Sequence, residues 1–424
     1  MNQQRRHRGR HLIAADRRFA TGGGLIARLT TGGVHKILDG IDRGLDAGTV
    51  EVTLPDGSGR LLGGRGEGPS TLVRIHSWRA LVRFITSGSI GWYKAWTLGE
   101  WSSPDPVSLF ESFARNGESL GEIGRAKGFA RRVNRLAHMF RSNNKKQSRR
   151  NISFHYDLGN DFYRAWLDES MTYSSARFAE PISDREPLEL AQARKIRTLL
   201  DRLDLRAGQE LLEIGCGWGS LAEIAARDYG VRVTALTLSA EQKAYAEARL
   251  REAGLAERVS IQLCDYRDVT GRFDAVASVE MVEAVGQEYW PSYLQTIARV
   301  LDPGGKAALQ LISMQEALFD GYAANADFIQ TYIFPGGMLI SEDRFRRIAD
   351  GAGLDWRDRA GFGLHYAETL KRWRTSFNLA VAEGRLPKGF DEPFHNLWRY
   401  YLMYCEGGFR GAGIDVAQIT MVKR

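Results

Sequence analysis

The chain reads as an α/β protein, a doubly wound sheet with a helical lid, preceded by a smaller N-terminal α+β domain. Three observations lead there. After residue 151 short apolar runs alternate with amphipathic helical stretches, the pattern of a parallel sheet covered on both faces. A glycine turn, Gly215-Cys216-Gly217-Trp218-Gly219, joins one such run to a helix. Before residue 125 the pattern changes to a short strand-like piece and one long amphipathic stretch.

Taken in order, residues 1–24 are polar and Arg-rich and end in Thr21-Gly22-Gly23-Gly24, which predicts a flexible arm. Residues 25–124 predict a small domain with its own core. Thr49–Leu54 is strand-like and ends at Asp56-Gly57, while Trp78, Leu81, Val82 and Ile85 recur at helical spacing until Gly88 stops the helix. Residues 125–150 predict a linker helix with an apolar stripe of Phe129, Val133, Leu136 and Phe140. Its second part, Arg131 to Arg150, carries eight basic residues and no acidic one.

Residues 151–424 hold the sheet. The predicted strands are Glu210–Ile214, Val231–Leu236, a run ending at Cys264, Phe273–Val279 and Ala307–Ile312, the last entered through Pro303-Gly304-Gly305. Helices Ala240–Ala253 and Tyr289–Leu301 fit between them. Beyond Ser313 the sequence is helical and aromatic, which predicts a lid.

Composition narrows the function classes. No run approaches the roughly 20 apolar residues of a bilayer span, and Met1 to Arg18 lacks the apolar stretch of a signal peptide. A cytoplasmic protein, peripheral on the inner face of the cell membrane, is the expectation. Cys216, Cys264 and Cys405 form no CxxC pair and no disulfide spacing, so neither a zinc site nor any other metal is expected. The net charge of +7 conceals an asymmetry: residues 1–150 hold 26 Lys/Arg against 12 Asp/Glu, and the remainder holds 32 against 39. A basic front half attracts an anionic membrane surface or nucleic acid through the same field.

Glu213-Ile214-Gly215 follows a strand and opens a helix, so the glycines Gly215, Gly217 and Gly219 let a ligand approach the backbone. An acidic residue just before the turn suits the cationic amino group of S-adenosylmethionine. Nicotinamide cofactors instead want an acid at the end of the second strand, where this chain has Leu236-Thr237-Leu238-Ser239, with Gln242 one turn on. Asp265 and Tyr266, after the next strand, are placed to meet the adenine, Asp265 as acceptor and Tyr266 against the ring.

Several segments together resemble the cyclopropane-fatty-acyl-phospholipid synthase family. They are His155 to Tyr163, Met171-Thr172-Tyr173-Ser174-Ser175, Glu213 to Gly219, Thr237 to Gln242, Asp265 to Asp268 and Tyr332 to Gly337, in matching order and spacing. The resemblance implies a class I methyltransferase Rossmann-like fold. It also implies S-adenosyl-L-methionine as methyl donor, phospholipids with unsaturated acyl chains as substrate, and a tunnel under the lid. Tyr173, Ser174, the glycines, Thr237, Leu238 and Gln242 then surround the cofactor. A homodimer or higher oligomer is expected, with a downstream reductase or desaturase as a further partner.

In that family an alkene attacks the methyl group, leaving a cation on the chain, and Tyr156, Tyr173, Phe178, Phe334 and Tyr366 are the aromatic candidates to stabilise it. A bicarbonate ion then serves as base, held by Cys, Glu, His, an Ile backbone group and Tyr. Here those positions read Ser175, Glu283, Gln310, Ile312 and Tyr366, and Ala284 replaces the His that usually follows the Glu. Loss of Cys and His weakens the case for bicarbonate and leaves Glu283 as the strongest base. The product is then a cyclopropane or a methylene or methyl-branched chain. Glu280, one turn before Glu283, reads as a helix-start charge or as a second carboxylate at the site.

Two other readings compete. Trp92, Trp96 and Trp101 in a basic half suit a nucleic-acid methyltransferase, but Ser278-Val279-Glu280-Met281 stands where base-amino methylases carry Asn/Asp-Pro-Pro-aromatic, with no cysteine there for attack on a pyrimidine. No nucleic-acid partner is therefore expected. A catalytically inactive lipid-binding protein would have no need of the intact cofactor segments. The charge asymmetry yields a direct expectation: binding to anionic liposomes weakens as salt rises and largely fails when Arg141, Lys145, Lys146, Arg149 and Arg150 are neutralised, by co-sedimentation. Salt-independent binding to neutral vesicles would contradict it.

Overall fold

The computed structural model describes residues 8–13, 31–121, 158–325 and 327–424. The linker helix expected at 125–150, Tyr156 and most of the arm lie outside these residues. Among the described residues no helix is long and apolar enough to cross a membrane.

The N-terminal part is a four-stranded sheet. Strands β1 (Thr49–Thr53), β2 (Gly59–Gly63), β3 (Ser70–Ile75) and β4 (Trp101–Ser102) lie in the order β2-β1-β3-β4. The helix expected to stop at Gly88 instead spans Arg79–Thr97, with Gly88 at φ 57° and ψ −137° as a sharp kink inside it. Glycine breaks the regular path there because only it adopts that conformation freely, and the chain resumes the helix beyond it. Trp92 and Trp101 stack at 4.4 Å and are buried, which removes them as base-stacking surfaces.

The main sheet has seven strands: β5 (Glu210–Ile214), β6 (Arg232–Thr237), β7 (Val259–Leu263), β8 (Phe273–Val279), β9 (Leu301–Met314), β10 (Leu354–Gly361) and β11 (Ile414–Lys423). Their order is β10-β11-β9-β8-β5-β6-β7. β5 to β9 run parallel, and β11 lies antiparallel to both β9 and β10. β5 has β6 on one side and β8 on the other, so the winding reverses at β5. A doubly wound sheet opens its ligand crevice there, at the carboxyl ends of the strands.

Strands β10 and β11 fall in the region read from sequence as wholly helical. β11 escapes a pattern reading because polar Gln418 and Thr420 interrupt its apolar run, although both are buried in the sheet. The small domain also lacks the separate core expected of it. One apolar cluster runs from Val50 and Trp92 through to Phe328, Trp398 and Tyr400 of the lid. Tyr93 joins the two parts, its ring 4.8 Å from Phe328 and 4.9 Å from both Tyr332 and Tyr400.

The two parts also meet where the Glu392–Arg410 helix crosses the Pro106–Arg115 helix. A Cβ on Gly407 would lie 2.8 Å from both Glu111 N and Val107 O, so this contact requires glycine. Gly407→Ala is expected to lower stability by about 1–3 kcal/mol through overpacking, net of the ~1 kcal/mol that alanine gains in a helix, as a lower Tm in calorimetry. An unchanged Tm would show that the helices part without cost.

Candidate active site

Two cavities open at the carboxyl ends of β5 and β8. The smaller, about 190 Å³, lies over the glycine turn. Gly215, Gly217 and Gly219 all have positive φ, at 87°, 51° and 88°. A Cβ on Gly215 would meet Met281 Cγ at 2.8 Å and one on Gly219 would meet Ala246 Cβ at 3.0 Å, so the outer glycines serve packing within the protein. Nothing lies within 4 Å of a Cβ on Gly217, whose open side faces the cavity. Trp218 Nε1 donates to Asn160 Oδ1 at 2.8 Å, tying the start of the Asn160–Arg164 helix to the turn.

Glu213 leaves β5 beneath this cavity, with Oε2 buried and without a hydrogen-bond partner. Burial pushes its carboxyl up to about 8, against the pull of Lys195. A buried acceptor lacking a donor is what a ligand's ammonium group would satisfy. Thr237 Oγ1 donates to Gln242 Oε1 at 2.9 Å, and Leu238 completes that wall. Tyr266 lines the cavity, but Asp265 departs from expectation. Its two carboxylate oxygens accept from Arg267 Nε at 2.8 Å and Nη2 at 2.7 Å, so it is paired within the protein, and its neighbours Cys264 and Tyr266 face the cavity instead.

Lys195 was not found from sequence. It lies on the buried face of the Leu188–Asp201 helix, in the same stripe as Ala191 and Leu199, and a lysine in an apolar stripe was the available signal. Its Nζ donates to Ser174 Oγ at 2.6 Å. Burial pulls its pKa down to about 8, although Glu280, Asp168 and Glu213 all favour the charged form. Gln192 Nε2 donates to Ser174 O at 2.9 Å and so fixes the loop that carries Tyr173 and Ser174.

The larger cavity, about 480 Å³, is mostly aromatic and aliphatic. It starts at Glu280, Glu283 and Tyr366 and extends to Phe84, Trp92 and Phe110 of the N-terminal part. Tyr173, Glu280 and Ala284 line both cavities and form their junction. Of the aromatic candidates, Tyr173, Phe334 and Tyr366 face the larger cavity. Phe178 does not; it packs with Ala176 and Ala191 and stacks on His365. Tyr401, missed in the sequence, takes such a place from the lid helix, its hydroxyl 2.8 Å from that of Tyr173.

The expected anion site is occupied by a side chain of the protein. Glu280 is no helix-start charge: it leaves β8 at φ 47° and turns its carboxylate inward. Oε1 accepts from Ser175 N at 2.9 Å and from Gln310 Nε2 at 2.8 Å, and Oε2 accepts from Tyr366 OH at 2.6 Å. Ser175 and Gln310 themselves line neither cavity, and the Ser175 hydroxyl donates to Ala176 O at 2.9 Å. Both sit behind Glu280. The Ile312 N–H donates to Glu283 Oε1 at 2.5 Å, and Glu283 Oε2 is buried without a partner.

The two carboxylates cannot both ionise easily. Burial raises both, and repulsion from Glu280 adds to the rise at Glu283, to about 8. Glu280 has Lys195 and three donors in its favour, Glu283 one. The negative charge is therefore favoured on Glu280 and the proton on Glu283.

The family model for mycolic acid cyclopropane synthetase matches residues 143–419. Tuberculostearic acid methyltransferase UfaA1 of Mycobacterium tuberculosis is 40% identical over 356 residues, 82% of each chain. The cyclopropane-fatty-acyl-phospholipid synthase of Escherichia coli K12 is 32% identical over 351 residues, 82% of this chain and 87% of the relative. The crystal structure of mycolic acid cyclopropane synthase CmaA1 complexed with SAH and CTAB superposes with a TM-score of 0.59 at 29% identity, over 65% of this chain and 98% of that one.

The small cavity gives a binding expectation. Glu213→Gln should weaken S-adenosylmethionine by about ten- to a hundredfold, the equivalent of one charged hydrogen bond, and Gly217→Val should abolish binding. Titration calorimetry on variants of unchanged Tm measures both. Wild-type affinity in either would remove that residue from the cofactor site.

Proposed function

The chain belongs to the mycolic acid cyclopropane synthetase family and is an S-adenosylmethionine-dependent methyltransferase, and from that premise we propose that it methylates a cis double bond in a phospholipid acyl chain. The observation that carries this reading is the junction of the two cavities. A smaller, more polar cavity with an unpartnered carboxylate oxygen meets a large apolar one at Tyr173, Glu280 and Ala284. A methyl donor and a hydrocarbon chain would touch only there.

S-adenosylmethionine supplies an electrophilic methyl group on a sulfonium. Glu213 and the glycine turn orient that group toward the junction. Ala284 leaves room where a larger side chain would narrow the opening. The aromatic walls exclude water, which would otherwise capture the cation formed on the chain, and Tyr173, Tyr366 and Tyr401 present rings to it. A base at the junction completes the reaction.

Two products share this chemistry. A methylene-branched chain is favoured over a ring, because Ser175 and Gln310 replace the Cys and His that the family resemblance assigns to the ring-closing site. Peripheral attachment to an anionic membrane through the basic N-terminal part, and assembly as a homodimer or larger, belong to the same proposal.

The test is incubation with methyl-labelled S-adenosylmethionine and dioleoyl phosphatidylglycerol vesicles. Label is expected in lipid with a mass gain of one methylene per chain, and derivatisation separates alkene from ring. Label in no unsaturated lipid, or in nucleic acid alone, would overturn the proposal.

A further inference from the structure

We propose that Glu280 is the base of this enzyme, a carboxylate of the chain itself built into the seat that the family resemblance gives to bicarbonate, so that turnover needs no bicarbonate. The inference rests on the lipid-methylation reading for its chemistry, but its structural half stands alone. Three groups that would hold the free anion, Ser175 N, Gln310 Nε2 and Tyr366 OH, all hold Glu280. The fourth, Ile312 N, holds Glu283. Of that set only the carboxyl of Glu283 is left without a partner at Oε2, and a second negative charge beside Glu280 would be repelled in a site screened little by water.

The surroundings are built to keep this carboxylate in place. Its backbone adopts the left-handed conformation, φ 47°, which an L residue other than Asn, Asp or Gly rarely takes, and its N–H donates to Gln310 O at 2.8 Å. Gln310 is held in turn by Gln418 Nε2 at 3.1 Å. Lys195 supplies the compensating positive charge from the cofactor side. A carboxylate offers about four lone pairs. Three hydrogen bonds leave one on Oε2, at the wall shared by both cavities.

The step balances as follows. The alkene π pair forms the new C–C bond while the S–CH3 bond breaks and its electron pair stays on sulfur, so the positive charge passes to the acyl chain. Glu280 Oε2 then takes a proton from the added methyl group. The C–H pair either closes on the cationic carbon as a ring or, after a hydride has shifted from the methyl-bearing carbon to its neighbour, becomes the second bond of a methylene group.

The experiment compares the unmodified enzyme, Glu280→Gln and Glu280→Gly, the last relieving the left-handed backbone while emptying the seat. In carbonate-free buffer the unmodified enzyme is expected to methylate oleoyl phospholipid vesicles as fast as with added bicarbonate. Glu280→Gln is expected to lose about a hundredfold or more of kcat with S-adenosylmethionine affinity retained. Glu280→Gly should be inactive alone and regain turnover with bicarbonate or formate. Binding of ¹³C-bicarbonate, followed by NMR, gives a readout independent of turnover: absent in the unmodified enzyme and present in Glu280→Gly. Bicarbonate-dependent turnover or bicarbonate binding by the unmodified enzyme would overturn the inference, as would full activity of Glu280→Gln. If the unmodified enzyme labels no unsaturated lipid, the lipid reading falls, and the ¹³C comparison still decides whether Glu280 fills the seat.

Discussion

A carboxylate set between two cavities and away from bulk water must be held by donors, and those donors must themselves be held. Glu280 imposes that requirement on every layer of the catalytic part. Ser175 N comes from the loop before the main sheet, Gln310 from β9 and Tyr366 from the lid helix Gly363–Ala382. Gln310 is in turn held by Gln418 of β11, whose amide also donates to Lys195 O at 3.0 Å. The antiparallel edge of the sheet is thereby coupled to the chemistry at its centre. Polar residues inside β11 cost burial energy that their hydrogen bonds offset.

Charge balance follows the same logic. Lys195, Glu213 and Glu280 form a buried group in which one cation faces two carboxylates, with Asp168 nearby. Removing Lys195 from such a group would leave a buried carboxylate without its counter-charge, a loss of about 3–5 kcal/mol in typical cases. The arrangement also divides labour among carboxylates of one type. Glu213, with an orphan oxygen toward the small cavity, suits a cationic ligand; Glu280, with three donors, remains ionised; Glu283, with one donor and a bare Oε2, holds the proton. Environment, not residue type, separates the three roles.

Much of this was legible in the sequence because it depends on local pattern. The parallel strands β5, β6, β8 and β9 appear as apolar runs, and the glycine turn and Thr237 to Gln242 declare themselves by position. What sequence concealed depends on three-dimensional convergence. Glu280 lies one turn from Glu283, so a surface charge at a helix start was the simpler reading; the left-handed φ that turns it inward leaves no mark on a non-glycine residue. Asp265 looked free for adenine because its pairing with Arg267, two residues away, is a matter of side-chain conformation. Phe178 and Tyr401 exchanged places for a similar reason: an aromatic residue declares burial but not which cavity it faces. β11 was hidden by the buried polar residues that support the site, so the element hardest to read is also one that serves function.

The place of Glu280 is tested most directly by a crystal structure of the enzyme with S-adenosylhomocysteine, grown in excess bicarbonate. The expected density shows the Glu280 carboxylate accepting from Ser175 N, Gln310 Nε2 and Tyr366 OH, with no planar anion among them. A bicarbonate ion bound by Gln310 and Tyr366, with Glu280 swung away from both, would contradict it.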